Sequence, residues 1–175
     1  MSTDWNSVYR ATYEDLVRFL YRKVWDAERA HDLAQETFLR CLRDRAANAQ
    51  PMGNARAFVF TVANNLARDE ARSVIRRKKH LTLLKSEAET ATPPVIAEET
   101  IEQERKQAAV EAALAQLSDR DREILLLWDA GLTYQDIAAQ TGLSIGAIGT
   151  TLSRARRRLV EAFETTEGTQ NVARG

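Results

Sequence analysis

The sequence predicts an all-α protein made of two small helical domains. Glycine and proline are rare, at seven and three of 175 residues. Apolar residues recur at intervals of three and four, as on one face of a helix, and strand-like alternation is absent. An acidic stretch around Pro93 and Pro94 lacks this periodicity. We therefore expect domains over residues 1–80 and 110–164, joined by a flexible linker over residues 81–109.

Three helices are expected in the N-terminal domain. Apolar residues along one side predict the first helix over residues 4–24, and the second is expected over residues 27–46. Pro51 and Gly53 then mark a loop, because both residue types interrupt helices. A long third helix is expected over residues 55–79.

Capping signals divide the C-terminal domain into further helices. A helix resumes near residue 98 and is expected to run toward residue 117. The stretches Ser118–Asp121 and Thr133–Asp136 each place a hydroxyl side chain three residues before a carboxylate, a pattern that begins helices. Gly131 and Gly142 are expected to end the two helices that follow, because glycine adopts the left-handed conformation found at helix C-termini.

The last two helices have the parts of a helix-turn-helix, which places a helix in the DNA major groove. Ser144 is expected to cap the last helix, which runs to about Phe163 before a disordered tail over residues 165–175. Small Ala138 would allow the two helices to cross closely. Residues three and four apart share one face of the last helix, and we expect them to contact bases and phosphates: Ser144, Ala147, Thr150, Thr151, Arg154 and Arg158. The alternative is a solvated basic face.

The third helix carries a second nucleic-acid signal. It ends in four consecutive cations, Arg76 to Lys79, which favour the helix dipole and attract phosphates. Phe58 and Phe60 lie near its start, and we expect one in the core and the other beside a base that leaves the duplex. A broad polar stripe runs along the helix and includes Asn64, Asn65, Asp69, Arg72 and Arg76. A helix with a well-solvated basic end is the alternative.

The second helix offers a surface of a different kind. Asp32, Gln35, Glu36 and Leu39 lie three or four residues apart, so they form a polar strip with one apolar contact beside the core face. Such a strip is compatible both with contact to a protein partner and with exposure to solvent.

The formal charge is zero overall but unevenly distributed. Residues 1–80 contain 15 Lys and Arg against 10 Asp and Glu, whereas residues 81–109 contain three against six and residues 110–164 six against eight. Because phosphate binding depends on local clusters, the neutral total does not argue against DNA.

Composition also restricts the cellular compartment in which the protein is expected and the kinds of site that it is expected to contain. Cys41 is the single cysteine, the N-terminus is polar, and the longest apolar run is too short to cross a bilayer. We therefore expect a cytoplasmic protein without membrane insertion. Neither a catalytic constellation nor a metal or cofactor motif is recognisable, so no catalytic residue, no metal and no cofactor is expected.

Four stretches together carry a family resemblance: Asp32–Leu39, Ala57–Asp69, Leu117–Ile124 and Tyr134–Arg156. In this order and at these separations they resemble the bacterial RNA polymerase sigma factors of the small, two-domain extracytoplasmic-function group. The resemblance covers about residues 5–164. It implies a promoter-specificity subunit that directs the polymerase to a small regulon and takes part in transcription initiation and promoter melting. It also implies that the chain is a dissociable subunit and not itself an enzyme.

The resemblance further implies partners for each surface. The strip Asp32, Gln35, Glu36 and Leu39 matches the family's docking surface for core RNA polymerase. The last helix matches the family's reader of the minus-thirty-five element in duplex DNA. The minus-ten element, with its melted non-template strand, is matched by residues from the loop and third helix: Asn48, Phe58, Asn64, Asn65, Asp69, Arg72 and Arg76. An anti-sigma protein usually holds family members inactive and is an expected partner.

The chain differs from the family pattern at two positions, and two alternative functions remain open. Family members often carry Lys or Arg where this chain has Gly149 and Thr151, so the minus-thirty-five sequence is not fixed by the resemblance. A helix-turn-helix regulator acting on duplex DNA would not need the strip on the second helix. A protein-binding helical adaptor predicts no salt-dependent DNA binding at all.

Overall fold

Seven helices, with turns between some of them, make up the described parts of the chain. The computed structural model describes residues 3–48, 54–83 and 98–172. In chain order the helices are α1 (Trp5–Val24), α2 (Ala27–Asn48), α3 (Ala55–Leu83), α4 (Glu98–Ala115), α5 (Asp119–Asp129), α6 (Tyr134–Thr141) and α7 (Ile145–Val172). Those three ranges contain no strand, and the predicted all-α class is confirmed.

The helices pack as two groups. Helices α1, α2 and α3 pack against one another and form the N-terminal domain. Helices α5, α6 and α7 form the C-terminal domain, and α4 lies against α7. A smaller contact between α1 and α5 joins the two domains, so that their buried residues form one continuous cluster.

Local capping sets both ends of α1. The side chain of Asp4 accepts a hydrogen bond from the backbone N–H of Asn6 at 3.1 Å, which satisfies a donor that has no partner inside the helix. At the other end Trp25 adopts a left-handed conformation with a φ of 55°, and its N–H donates to the carbonyl of Tyr21 at 2.7 Å. The chain therefore turns sharply into α2.

Aromatic and aliphatic side chains fill the centre of the N-terminal domain. Phe60 is fully buried and meets Phe19 edge to face, with the ring centroids 5.3 Å apart. Leu16 and Leu20 are also fully buried beside them. Phe58 is only half-buried. The prediction that one of the two phenylalanines at the start of α3 joins the core is confirmed for Phe60.

A bidentate ion pair ties α2 to α3. Nε and Nη2 of Arg29 each donate to the carboxylate of Glu70 at 2.7 Å. These hydrogen bonds hold the pKa of Glu70 below its ordinary value. The pair fixes the exposed strip of α2 relative to the polar stripe of α3, so it sets the geometry between two candidate binding surfaces.

The predicted caps of α5 and α6 are present. Ser118 Oγ accepts from the N–H of Asp121 at 3.1 Å. Thr133 and Asp136 form a complete capping box, because each side chain accepts from the other's backbone N–H at 3.1 Å. Gly142 ends α6 with a φ of 73°, a conformation that glycine adopts without steric cost.

The turn after Gly142 brings α7 across α6. Ile137, Ile148 and Leu152 lie buried between the two helices. Ala138 is 9% exposed, and its small side chain occupies the predicted contact. The helix-turn-helix is therefore built as its apolar pattern indicated.

Helix α7 is longer than predicted. It was expected to end near Phe163 but extends to Val172, so residues 165–172 are helical where a disordered tail was expected. Along this extension three threonine hydroxyls donate to carbonyls four residues earlier, at 2.8 to 2.9 Å: Thr165, Thr166 and Thr169. Their polar atoms thus have partners within the helix, although this segment lacks an apolar period.

Membrane-spanning helices and metal-binding clusters are both absent from the described ranges. None of the helices there is both long and apolar enough to cross a lipid bilayer. Residues 3–48, 54–83 and 98–172 also contain no cluster of three side chains suited to holding a metal ion.

Replacing Phe60 with alanine tests the packing of the N-terminal core. Phe60→Ala removes a fully buried ring, and we expect it to lower the free energy of unfolding by about 3–5 kcal/mol. Urea titration followed by far-ultraviolet circular dichroism measures this loss. Asn65→Ala is the matched control, because Asn65 lies exposed on the same helix and its removal should change stability by less than about 0.5 kcal/mol. Equal losses in both variants would contradict the assigned core.

Candidate nucleic-acid interface

The strip on α2 is accessible along its length. Asp32 and Gln35 are exposed, and Leu39 presents 48% of its surface to solvent. Glu36 is partly covered because Arg40 Nε donates to its carboxylate at 2.9 Å, and this hydrogen bond holds the pKa of Glu36 below its ordinary value. The strip thus combines carboxylates with one exposed leucine, an arrangement open to a protein partner.

The structure distinguishes the two neighbouring asparagines of α3. Asn65 is exposed, whereas Asn64 is 1% exposed and points into the protein. Asp69, Arg72 and Arg76 are all exposed on the same helix. The predicted polar stripe therefore exists, but Asn64 does not lie on the solvent-facing part of it. The side chain of Asn48, another predicted contact, lies outside the described residues.

Asn64 is covered by a residue of the C-terminal domain. Its Nδ2 donates to the carboxylate of Glu123 at 2.5 Å, and its Oδ1 is buried without a partner among the described residues. The guanidinium of Arg68 forms an ion pair with the same carboxylate. Glu123 is itself 14% exposed at its side chain. Glu123 of α5 thus binds two polar side chains of the predicted DNA-binding helix.

Three further contacts continue this interdomain seam on either side of Glu123. The guanidinium of Arg22 pairs with Asp129, and that of Arg56 donates to the carbonyl of Ala130. In the third contact, Asn54 Nδ2 donates to the carboxylate of Asp136, at 3.3 Å from both oxygens. In every case the N-terminal domain donates and the C-terminal domain accepts. Donor groups of the N-terminal domain thus face acceptor groups of the C-terminal domain across the seam.

Lys23 is the one strongly perturbed cation in this region of the described chain. Burial lowers its pKa to about 8, because removing water disfavours the charged ammonium. Charged groups from several elements surround it; Glu123 and Asp119 favour the ammonium, whereas Arg68 and Arg122 oppose it. The seam thus contains a charge whose desolvation is only partly compensated.

The residues expected on the DNA face of α7 differ in their exposure. Ser144 and Thr150 are exposed, and Ala147 is partly covered. Thr151 is 7% exposed, because it follows the buried stripe of the helix, so its side chain cannot reach a base edge in this fold. Gly149 also turns away from solvent, since a Cβ placed there would lie 3.6 Å from the ring of Tyr134. Neither departure from the family pattern therefore lies at the centre of the outward face.

Two arginines of the predicted face are held by a buried carboxylate. Asp121 is 2% exposed, and its two oxygens lie 2.7 Å from Arg158 Nη1 and 3.8 Å from Arg154 Nη2. Both arginine side chains remain about half exposed, at 51% and 46%. These contacts tie α7 to the start of α5 and turn both guanidinium groups toward the flank of α7.

Sequence reasoning included Thr150 but missed two other residues that lie opposite the buried stripe, Ser153 and Arg157. The stripe runs through Ile148, Leu152 and Ala155. A period of 3.6 residues places Thr150, Ser153 and Arg157 on the far side, and all three are exposed. Following the apolar seam, instead of the arginines, would have identified this face. Glu123 carried no comparable signal, because its partners are more than 50 positions away in the sequence.

Two family models match the chain over most of the described helices. Residues 8–77 match the model described as Sigma-70 region 2, and residues 107–159 match the model described as Sigma-70, region 4. The first covers α1, α2 and most of α3, and the second extends from within α4 into α7.

Individual proteins give the same result. The ECF RNA polymerase sigma factor EcfG of Rhodopseudomonas palustris is 37% identical over 137 residues, which cover 77% of this chain and 71% of that protein. The ECF RNA polymerase sigma factor SigL of Mycobacterium tuberculosis is 30% identical over 158 residues, with 87% of each chain covered. The solved structure of the sigma factor RpoE with the anti-sigma factor NepR from Bartonella quintana superposes with a TM-score of 0.67 at 26% identity, covering 92% of this chain and 97% of that one.

Removing the partly buried ammonium of Lys23 tests the electrostatics of the seam. A lowered pKa means that the charged lysine destabilises the folded chain fully below pH 8, and that this penalty disappears as the pH rises toward 10.5. We expect Lys23→Met to raise the free energy of unfolding by about 1–3 kcal/mol at pH 7 and to lose this advantage above pH 10.5.

The measurement is urea unfolding of wild type and variant across that pH range. Lys79→Met is the control, because Lys79 is exposed at the end of α3 and its removal should change stability little at any pH. A variant that is less stable than wild type at pH 7 would contradict the unfavourable burial of this charge.

Proposed function

Because this chain belongs to the extracytoplasmic-function sigma factors of RNA polymerase, we propose that its separate surfaces divide the work of promoter recognition. The chain is a promoter-specificity subunit that directs RNA polymerase to a small regulon and takes part in initiation and promoter melting. The comparisons do not favour a regulator acting on duplex DNA alone or a protein-binding adaptor. The observation that carries the division of labour is the simultaneous presence of an exposed acidic strip on α2 and an exposed polar face on α7.

The strip on α2 is the proposed docking surface for core RNA polymerase. Its exposed carboxylates and the exposed Leu39 combine charge with an apolar anchor. The Arg29–Glu70 ion pair holds this surface at a fixed position relative to α3. Docking through α2 therefore also positions the DNA-binding helix on the polymerase.

The minus-ten element is the proposed ligand of α3. Asn65, Asp69, Arg72 and Arg76 are exposed and able to meet bases or phosphates. Phe58, which is half-buried near the start of the helix, is placed to stack on a base that has left the duplex. Asn48 and Asn64 complete the proposed surface, and Asn64 needs the C-terminal domain to move before it can contribute.

The minus-thirty-five element is the proposed ligand of α7. We assign base contacts to the outward residues Ser144, Thr150 and Ser153, with Ala147 at the edge of this face. Arg157 extends from the same side toward bases or the backbone. Arg154 and Arg158, which Asp121 holds at the flank, are assigned to phosphates and not to base edges.

The free energy of duplex opening indicates that the chain acts within a larger complex. Opening duplex DNA costs about 1.4 kcal/mol per base-pair step. Stacking one base on an aromatic ring returns about 1–3 kcal/mol. A chain with one or two such pockets cannot hold open a bubble of many base pairs, so core polymerase must supply the remainder.

Further aspects of the proposed function follow from that complex. The chain acts in the cytoplasm, where the polymerase works, and contributes specificity without catalysis of its own. The Bartonella quintana structure contains its sigma factor with an anti-sigma factor, and this supports an anti-sigma protein as a partner of the present chain. Such a partner would control access to the two domains.

Substitution on α2 tests the docking surface. Asp32→Ala combined with Glu36→Ala should weaken binding to core polymerase by about tenfold or more, equivalent to about 1.4 kcal/mol. Pull-down of core enzyme with increasing concentrations of the chain measures the change. Glu14→Ala is the matched control, because it removes an exposed carboxylate from α1. Undiminished binding by the double variant would exclude α2 as the docking surface.

Substitution on α7 separates the outward face from the buried stripe. Arg157→Ala should weaken binding of the holoenzyme to minus-thirty-five duplex by about tenfold, as expected for loss of one arginine contact of about 1–3 kcal/mol. Thr151→Ser should leave binding unchanged, because Thr151 is buried. Fluorescence anisotropy at fixed salt measures both. The assigned face is wrong if Thr151→Ser loses as much affinity as Arg157→Ala.

A further inference from the structure

Asp121 is the one charged residue in the described parts of the chain that is buried, at 2% exposed. The N-cap of α5 fixes its backbone, because its N–H donates to Ser118 Oγ at 3.1 Å. A buried carboxylate is costly unless it is paired and hydrogen-bonded. The partners that Asp121 finds belong to α7, so its charge acts on the helix that is the proposed reader of duplex DNA.

These partners are two arginines that lie one turn apart on α7. Arg158 Nη1 donates to Oδ2 of Asp121 at 2.7 Å, and Arg154 Nη2 lies 3.8 Å from Oδ1. A guanidinium carries several N–H groups, so those not directed at the carboxylate are available to a second acceptor. Both side chains are about half exposed. A DNA phosphate can therefore reach them from the solvent side while Asp121 holds them from the protein side.

The other two arginines of this run keep their charge. Arg156 lies over the ring of Trp128, with its guanidinium carbon 3.9 Å from the ring centroid. Stacking on an aromatic face orients a cation but does not cancel its charge. Arg157 is exposed opposite the buried stripe. Asp121 therefore divides the arginines of α7 into a partly neutralised pair at the flank and two that present full charges.

Uncompensated cations on α7 would bind duplex DNA of any sequence. Phosphate contacts carry no sequence information, and each one steepens the salt dependence of binding by about 0.9 in a plot of log affinity against log salt. At about 0.1 M salt, one further contact therefore raises the affinity for every sequence about eightfold. Residues 110–164 contain six Lys and Arg against eight Asp and Glu, so little of the domain outside α7 attracts DNA. Partial neutralisation of the arginine run thus favours discrimination over affinity.

We propose that Asp121 is a positioning residue that sets the sequence specificity of α7. It orients Arg154 and Arg158 toward phosphates at the flank of the helix and cancels the charge of one of them, so that tight binding depends on base contacts from the outward face. This proposal rests on the proposed function, because it takes α7 to be the reader of the minus-thirty-five element. A fastening role alone would not need the charge, since apolar residues of similar volume often fill such a site without loss of stability.

Asp121→Asn tests the proposal, because the amide keeps the shape of the side chain and can still accept from Arg158 but carries no charge. Asp119→Asn is the matched control. It removes one carboxylate charge from the same turn of α5, but the side chain of Asp119 is fully exposed and pairs with Arg122 of its own helix. Asp121→Asn combined with Arg158→Gln removes both charges of the pair, so no buried charge is left without a partner if the single variant unfolds. Far-ultraviolet circular dichroism checks the folding of each chain.

The salt dependence of binding reports the charge on α7. Anisotropy with the full-length chain and a fluorescein-labelled duplex of shuffled sequence is measured at several salt concentrations. Relative to Asp119→Asn, we expect Asp121→Asn to steepen the slope by about 0.9 and to bind about eightfold more tightly at about 0.1 M salt. The Asp121→Asn, Arg158→Gln chain should keep the wild-type slope. Equal slopes for the two single variants, or a slope shallower by about 0.9 for the double variant, would overturn the cancellation of charge.

Specificity is measured in the complex with core polymerase. The probes are a duplex from the minus-thirty-five region of a promoter that the wild-type holoenzyme transcribes and the same duplex with its base order shuffled. We expect Asp121→Asn to lower the ratio of the two affinities about fivefold, because a released guanidinium adds a phosphate contact in every register and adds least where the pair is already seated on phosphates. A ratio equal to that of Asp119→Asn would overturn the role in specificity, whatever the slopes show.

Transcription from that promoter by the wild-type chain with core polymerase reports on the proposed function alone. If transcription succeeds and the ratio stays unchanged, only the role of Asp121 fails. If no fragment of a genomic promoter pool is transcribed, the proposed function fails, and the slopes measured with the shuffled duplex still decide whether Asp121 cancels charge on α7.

Discussion

The contact of Glu123 with Asn64 and Arg68 is the interaction on which the relation between the two domains depends. It places a carboxylate of α5 against the polar stripe of α3, so the orientation of the C-terminal domain is tied to the residues proposed to meet DNA. Removing these groups from water is costly unless each finds a partner. The docked arrangement supplies a carboxylate partner for the amide nitrogen of Asn64 and for the guanidinium of Arg68.

A second carboxylate plays a corresponding role within the C-terminal domain. Asp121 is almost fully buried and meets Arg154 and Arg158 from α7. This arrangement secures α7 against α5 and leaves both guanidinium groups half exposed at the flank of the helix. Arginine clusters in a helix-turn-helix thus serve two purposes, since some neutralise an internal charge while Arg157 extends freely into solvent. Counting cations along α7 does not separate these purposes.

Prediction from sequence succeeded where the determining interactions are local. The capping box of Thr133 and Asp136 lies within four residues, and the left-handed turn at Gly142 needs only the absence of a Cβ. The exposed strip on α2 followed from helical spacing alone. Prediction failed over residues 165–172, where the helix continues without an apolar pattern. Threonine hydroxyls there donate to backbone carbonyls four residues earlier in the helix. It also placed Thr151 on the wrong side of α7, because the arginines were followed instead of the buried seam.

The sequence by itself determined the order of the helices, the turn between α6 and α7 and the family, because these depend on short-range periodicity, capping and ordered motifs. Tertiary structure alone decided which of Asn64 and Asn65 is exposed, since both fit the polar stripe and Glu123 of α5 lies against Asn64. It also decided the partners of the arginines on α7. The physical reason is that burial and ion pairing depend on distances between residues far apart in the chain, and helical periodicity carries no information about those distances.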